Sequence, residues 1–141
     1  MDAISAGANV NAKTNAGYTA LMFAAEFGHP ETAGALIRAG ADVNTRDKHR
    51  WTALMWATRE GRIGIVSTLI RAGGKVNATN NDGLTALMLA AYVGYIQTAN
   101  DLIKAGAEVN AKDNYGGNAL MAATSKGYTQ IADILIKAGT N

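Results

Sequence analysis

One short motif returns along this chain at a constant interval of 33 residues. Ala-Gly occurs at positions 6–7, 39–40, 72–73, 105–106 and 138–139, with no insertion between one occurrence and the next. A fixed interval of this length is typical of repeat proteins, in which each unit has the same local structure and packs on its neighbours. The chain is therefore predicted to be a stack of similar units.

Two further motifs keep the same register and define four repeats. Thr-Ala-Leu-Met begins at Thr19, Thr52 and Thr85, and Asn-Ala-Leu-Met takes its place at Asn118. Val-Asn returns at positions 10–11, 43–44, 76–77 and 109–110. We therefore expect a single domain made of a partial N-terminal repeat or cap at 1–13 and repeats at 14–46, 47–79, 80–112 and 113–141, the last also forming the C-terminal cap.

Each repeat is predicted to contain two short helices and a loop, which makes the fold all-α. Thr and Asn at the start of the first helix have side chains that cap a helix N-terminus. Glycines then end both helices, because glycine adopts the left-handed conformation without a steric penalty. Helices of about nine residues are too short to be stable alone in water, so each must pack on the next repeat.

The motifs together resemble the ankyrin repeat over residues 6 to 139. The resemblance rests on the 33-residue turn–helix–helix unit with Thr-Ala-Leu-Met, Ala-Ala and Gly-Ala-Asp-Val-Asn. It implies a solenoid of stacked helix-turn-helix units joined by β-hairpin-like loops. Where that family commonly has Thr-Pro-Leu-His, each repeat here has Ala for Pro and Met for His. This variant is similar to ankyrin repeats of bacterial proteins.

In ankyrin repeats, one face of the first helix and the hairpin tips line a concave groove that binds other proteins. Carried over residue by residue, this predicts a partner-binding set of Tyr18, Phe23, Phe27, Lys48, His49, Trp51, Trp56, Arg59, Tyr92 and Tyr115. The set includes seven of the nine aromatic residues in the chain, and aromatic residues on a solvent-facing stripe are typical of interface hot spots.

A structural role is the alternative for part of this set. Phe23, Trp56 and Leu89 would then be partly buried between adjacent helices and would serve packing alone. Trp51 and Phe27 are expected to have few neighbours, because they lie at a tip or rim position. The sequence leaves these two interpretations open.

Charge is concentrated in the second repeat. Residues 38–71 contain seven basic and three acidic side chains, a local charge of +4, while the rest of the chain carries −2. Beside the tryptophans, these cations favour an acidic peptide or loop as the partner. A solvated basic face without a role is the alternative.

The expected function is therefore protein–protein interaction through the groove. Alternatively, the chain is a structural piece of a longer ankyrin-repeat protein whose activity lies elsewhere. In that case residues 1–13 are the end of a repeat that begins further upstream. If the chain is not such a piece, residues 1–13 are a short N-terminal cap. Binding of nucleic acid or another acidic polymer is the weaker third possibility.

Near the C-terminus, Ile134 holds a position taken by Ala35, Thr68 and Asp101 in other repeats. An exposed isoleucine there would favour weak end-to-end self-association.

Enzymatic chemistry is not expected. Cysteine is absent, the two histidines His29 and His49 are not accompanied by clustered carboxylates, and no phosphate-binding glycine loop occurs. The sequence therefore predicts no catalytic residue, metal, cofactor or small-molecule substrate. We expect no membrane span, since no apolar run approaches about 20 residues. The sequence leaves the compartment unknown; the lack of a signal peptide favours the cytoplasm.

Arg50 breaks the glycine pattern of the repeat. Gly17, Gly83 and Gly116 occupy its position in the other repeats, which predicts a positive φ angle at Arg50. Such a conformation costs a residue with a Cβ atom about 1 kcal/mol.

Overall fold

The computed structural model describes residues 9–139 and places eight α-helices and no β-strand in this range. The helices are α1 (Ala20–Phe27), α2 (Pro30–Arg38), α3 (Ala53–Arg59), α4 (Ile63–Arg71), α5 (Ala86–Val93), α6 (Ile96–Lys104), α7 (Ala119–Lys126) and α8 (Thr129–Lys137). Each predicted repeat contributes one pair of helices, which confirms the all-α prediction. Most of the predicted partial repeat at 1–13 lies outside the described residues, as do residues 140–141.

The chain divides into two compact units, the first ending at Gly74 and the second beginning at Lys75. In the first unit α1 packs on α2 and α3, while α4 packs on α3 and α2. In the second unit α5 packs on α6 and α7, while α8 packs on α7 and α6. Each unit thus contains two stacked helix pairs, with like helices side by side.

The first helix of every pair begins at the predicted cap. The Thr19 hydroxyl accepts a hydrogen bond from the Met22 N–H at 3.2 Å, and the Asn118 side-chain oxygen accepts one from the Met121 N–H at 2.9 Å. Thr52 and Thr85 make the same contact at 3.3 Å. These bonds satisfy a backbone donor that the helix itself leaves without a partner.

Glycine ends the first helices largely as predicted. Gly28, Gly94 and Gly127 are left-handed and directly follow α1, α5 and α7. In the second repeat the helix is one residue shorter, because Glu60 has φ −91° and the left-handed turn falls on Gly61 with φ 72°. Because α3 ends at Arg59, Trp56 and Arg59 both lie in its last turn.

The loops between repeats are hairpin-like, as the family resemblance implies. At the second tip the Asp47 N–H donates to the Trp51 carbonyl at 2.9 Å, and the Arg50 N–H donates to the Asp47 carbonyl at 2.8 Å. The other tips have the same pair of bonds, starting from Thr14, Asn80 and Asp113. A fixed turn of this kind projects its central side chains away from the helices.

The core of each unit is a layer of aliphatic and methionine side chains. Leu21, Leu54, Leu69, Leu87 and Leu102 are each at most 2% exposed. The methionines that replace the family histidine are also buried, since Met22, Met55 and Met88 are 1%, 1% and 4% exposed. A flexible apolar side chain therefore fills that space.

The last helix pair differs from this pattern. Met121 is 55% exposed, because α7 contacts α5 on one side and no other first helix of the described residues on the other. The prediction of an exposed Ile134 is wrong: it is only partly exposed, since it lies one turn from the buried Ile131 and shares the edge of its face. The exposed isoleucine of α8 is instead Ile136, at 56%.

Thr98 in α6 is a polar residue in the core of the second unit. It is 0% exposed, and its hydroxyl has no hydrogen-bond partner among the described residues. Ile65 and Ile131 hold the same position in repeats 2 and 4. We expect Thr98→Val to raise the free energy of unfolding by about 1–2 kcal/mol, because it removes an unpaired buried hydroxyl at nearly constant volume.

Urea unfolding followed by circular dichroism measures this gain. The control is Thr68→Val in α4, where the hydroxyl donates to the Gly64 carbonyl at 3.0 Å and should therefore give no gain. An equal stability change in both variants would contradict the role assigned to the unpaired hydroxyl of Thr98.

Arg50 has the predicted positive φ, at 66°, and is the one non-glycine residue of the described range with this conformation. Gly17, Gly83 and Gly116 have φ of 77°, 77° and 84°. We expect Arg50→Gly to stabilise the protein by about 0.5–1 kcal/mol, the relief of strain being partly offset by the chain entropy of glycine. Arg50→Ala retains the strain, so equal midpoints in urea for the two variants would disprove this explanation.

Candidate partner-binding surface

The ten predicted binding residues are divided between the two units. Eight of them, from Tyr18 to Arg59, lie in the first unit, on α1, on α3 and on the tips that precede these helices. Tyr92 on α5 and Tyr115 on the fourth tip lie in the second unit. The structure brings the first-unit aromatic residues into direct ring contacts.

Three aromatic rings meet at the second repeat. The Trp51 and Trp56 rings have centroids 4.6 Å apart and are tilted by 36°. Tyr18 meets Trp56 edge-on, at 6.0 Å and 79°. The expectation that Trp51 has few neighbours is wrong, because the chain turns back after the tip and packs Trp51 on Trp56, leaving both rings half-buried.

Arg59 covers this aromatic pair. The guanidinium carbon of Arg59 lies 5.7 Å from the ring centroids of both Trp51 and Trp56, a distance at which a cation is attracted to the face of an aromatic ring. Its side chain is still 51% exposed and forms an ion pair with Glu60, with 3.6 Å between Nε and Oε2. The last turn of α3 therefore presents a cation supported by two indole rings.

Asp47 fixes the second tip to α3. One oxygen of its carboxylate accepts hydrogen bonds from the His49 and Trp51 N–H groups, both at 2.9 Å. The other oxygen accepts one from the indole N–H of Trp56 at 3.2 Å. Asp47 is 9% exposed, and this buried carboxylate is what holds Trp51 and Trp56 in register.

Asp47 is not among the binding residues predicted from the sequence. A turn-forming side chain does recur at this position, as Thr14, Asn80 and Asp113, and each accepts the same two backbone N–H bonds. That recurrence could have predicted the role of Asp47 in the turn. The bond from Asp47 to the indole requires a tryptophan at position 56 of α3. The spacing of motifs along the sequence does not predict this bond.

Tyr18 is held by a carboxylate of its own repeat. Its hydroxyl donates a hydrogen bond to the Glu26 side chain. Burial, this hydrogen bond and the negative charges of Glu26 and Asp47 raise the pKa of Tyr18 far above its usual value near 10. Because Tyr18 loses its proton less readily when folded, its ionisation lowers stability above about pH 10. The phenol is thus a neutral donor at physiological pH.

Two phenylalanines form an exposed apolar patch on α1. Phe23 and Phe27 are 50% and 52% exposed, with ring centroids 4.8 Å apart. The His29 ring stacks on Phe23 at 5.8 Å and 12°. Tyr18 and Phe23 also line an open depression of about 370 Å³. About half of the surface of each Phe residue is therefore available for contact with another molecule.

Arg62 and the second tip add cations to this region. The Arg62 guanidinium donates from Nε to the Glu26 carbonyl at 3.2 Å, which places it at the end of α1. Lys48, His49 and Arg50 are exposed on the tip, and the Lys48 N–H donates to the Ala16 carbonyl of the preceding tip at 2.7 Å. The local positive charge found in the sequence thus includes side chains that face solvent.

The two predicted residues of the second unit are exposed. Tyr92 is 57% exposed, and the Lys126 ammonium lies 4.3 Å from its ring centroid. Tyr115 is 85% exposed on its tip. Leu89 is only 8% exposed, which agrees with the packing interpretation for this residue.

Between residues 9 and 139 no group of three or more His, Cys, Asp or Glu side chains could hold a metal ion. None of the described helices is long and apolar enough to cross a membrane.

Comparison with known proteins gives the family. No curated protein matches the chain. A family model described as ankyrin repeats (3 copies) matches residues 2–80 and again residues 65–141. The model has three repeats, whereas the sequence motifs of this chain define four. Ankyrin repeats generally act as protein–protein interaction modules and are typically non-enzymatic. Because the two matches span nearly the whole sequence, this chain belongs to the ankyrin-repeat family.

Proposed function

We propose that this chain binds a partner protein through one surface of its first unit, here called the aromatic surface. The aromatic surface consists of Tyr18, Phe23, Phe27, Trp51, Trp56 and Arg59. The observation that carries the proposal is the half-exposed Phe23–Phe27 pair on α1, which packs beside the helix that bears Trp56 and Arg59. Large aromatic side chains and arginine are the residues that most often dominate binding energy in interfaces.

The surface is already ordered without a partner. Asp47 holds Trp51 and Trp56, Glu26 holds Tyr18, and the two indoles restrain Arg59. Side chains that are fixed before binding lose little conformational entropy on binding, so more of the contact energy remains as affinity. The packing also reduces the apolar area that this face exposes to solvent, since Trp51 and Trp56 are half-buried.

Further partner contacts are proposed outside the aromatic surface. Lys48 and His49 on the second tip would contact the same partner in the family's concave groove, since they are exposed directly before Trp51. Tyr92 and Tyr115 are the proposed contacts in the second unit, supported by their exposure of 57% and 85%.

Affinity capture from the native lysate tests the proposal. The variant Phe27→Ala/Arg59→Glu removes one exposed ring and one exposed cation of the aromatic surface. The matched control is Ile63→Ala/Arg71→Glu, since Ile63 is 48% exposed and Arg71 is an exposed arginine outside the surface. We expect wild type and control to capture the same protein and the variant to lose it at unchanged thermal stability. Equal capture by all three, or no protein captured by wild type, would overturn the proposal.

An acidic polymer such as nucleic acid is a second candidate, favoured by the exposed cations Lys48 and Arg50. Binding to nucleic acid releases counterions, so its affinity falls steeply as salt rises. A titration with a single-stranded oligonucleotide at 50 and 200 mM salt distinguishes it from the main proposal. A weak or absent salt dependence would exclude it. The remaining alternative is that the chain is a structural piece of a longer ankyrin-repeat protein whose activity lies elsewhere, and it predicts that neither partner binds.

A further inference from the structure

We propose that the aromatic surface selects an acidic segment of the partner, with Arg59 as the specificity-determining residue. This rests on the proposed function above and names its ligand chemistry. The segment would place an Asp or Glu carboxylate on the Arg59 guanidinium and a large apolar side chain on Phe23 and Phe27.

Arg59 has donors left for a ligand. A guanidinium has five N–H donors. The ion pair of Arg59 with Glu60 spans 3.6 Å, longer than a hydrogen bond, and the side chain is 51% exposed. The rings of Trp51 and Trp56 meanwhile restrict its movement from one side. A planar guanidinium restrained in this way suits a carboxylate, which it can bind through two parallel N–H bonds.

The surrounding charges favour an anion. Asp47 already accepts three hydrogen bonds, and the Glu26 carboxylate accepts the Tyr18 hydroxyl. Lys48 and Arg50 are exposed on the neighbouring tip, and residues 38–71 carry a net charge of +4. An approaching acidic segment is therefore attracted before contact, whereas a basic one is repelled.

Cationic ligands are the main competitor, because indole faces also bind ammonium and guanidinium groups. Arg59 already occupies that role at both Trp51 and Trp56. A basic segment would have to displace it and leave two cations close together. The structure thus favours the acidic ligand, and the experiment below distinguishes the two.

The helix packing sets the spacing within the segment. Phe23 and Phe27 lie on α1 and Arg59 on α3, and these helices are in contact. The axes of packed helices are about 8–10 Å apart. An extended peptide advances about 3.3 Å per residue, so the apolar and acidic residues should be roughly three positions apart.

Selection from a random peptide display library tests the inference on the full chain. We expect peptides bound by wild type to be enriched in Asp and Glu roughly three positions from a large apolar residue. Arg59→Glu should abolish that acidic enrichment or replace it with Lys and Arg. Arg59→Lys keeps the charge without the planar pair of donors, so it should retain the acidic preference with weaker binding.

A fluorescence titration then measures the effect. Both tryptophans of the chain lie in this cluster, so their emission reports directly on the surface. For a selected peptide we expect replacement of its Asp or Glu by Asn or Gln to weaken binding about tenfold, as one charged hydrogen bond implies. In Arg59→Gln, the acidic and amide peptides should bind equally.

The possible outcomes separate the inference from the proposed function. Selected peptides that change the tryptophan emission but show no acidic preference would overturn the role of Arg59 and leave the aromatic surface as the binding site. Enrichment of Lys or Arg by wild type would show that the indoles bind cations instead. Peptides whose binding survives Phe27→Ala/Arg59→Glu unchanged would overturn both proposals. The absence of any peptide binder would overturn the inference alone, because the proposed function is tested by capture of a whole protein.

Discussion

Gly83→Ala is expected to lower the free energy of unfolding by roughly 2–4 kcal/mol, the sum of backbone strain and overpacking. Gly83 has φ +77°, and a Cβ atom there would lie 2.5 Å from the Asn114 side-chain oxygen and 2.8 Å from the Asn114 backbone nitrogen. The side chain could rotate away, but the backbone is held by a hydrogen bond to the Asp82 carbonyl at 3.0 Å. The third and fourth tips would have to separate. Urea unfolding followed by circular dichroism measures the loss.

Gly116→Ala is the matched control for this prediction. Gly116 has the same place in its tip and a similar φ of +84°, but a Cβ atom there meets nothing within 4 Å. Only the backbone strain remains, at about 1 kcal/mol. A loss as small for Gly83→Ala as for Gly116→Ala would mean that contact between neighbouring tips contributes little to the stability of the second unit.

Asp47→Ala is expected to destabilise the first unit by about 2–4 kcal/mol, because it removes the acceptor of several hydrogen bonds at once. The N–H groups of His49 and Trp51 and the indole N–H of Trp56 would lose their partner. Since Trp51 and Trp56 are the only tryptophans in the chain, their emission should shift to longer wavelength as the rings become more exposed. Denaturant unfolding and emission spectra of the native state check both effects.

Asp47→Asn separates the two functions of this carboxylate. Asn80 makes the same two backbone bonds in the third repeat with an amide oxygen, at 2.9 and 3.0 Å. The tip of Asp47→Asn should therefore stay folded, and the loss of the single bond to Trp56 should cost about 1 kcal/mol. A destabilisation as large as that of Asp47→Ala would contradict the equivalence with Asn80 and would make the Trp56 bond the main contribution.

The local structure could be predicted from the sequence because each of its causes lies within one repeat. A helix cap needs a suitable side chain three residues before the N–H that it accepts, and a left-handed turn needs glycine. Both signals recur every 33 residues, so each occurrence supports the assignment of the others. The sequence therefore predicts the observed roles of Thr19, Asn118 and Gly28. The same logic predicted the positive φ of Arg50 from the glycines at its equivalent positions.

The candidate surface could be predicted only as a set of positions. The family pattern places Trp56 and Arg59 on one helix face and Trp51 on the tip before it, but their contacts depend on rotamers, which spacing does not determine. Trp51 was expected to have little to pack on, whereas in the structure it packs on Trp56. Ile134 was expected to be exposed, whereas in the structure it is half-buried at the edge of the packed face of α8.

The sequence by itself determined the repeat, the helices and their caps, since these follow from local backbone preferences and from a fixed interval of 33 residues. The resemblance of its motifs to ankyrin repeats then implied the family. Only the tertiary structure decided that Asp47 links the second tip to Trp56 and that Arg59 covers two indoles. Those contacts arise where the chain folds back on itself. Asp47 then meets Trp56, nine positions later, and Trp51 meets Arg59, eight positions later. Their geometry depends on how the side chains pack, which the spacing of residues along the chain does not determine.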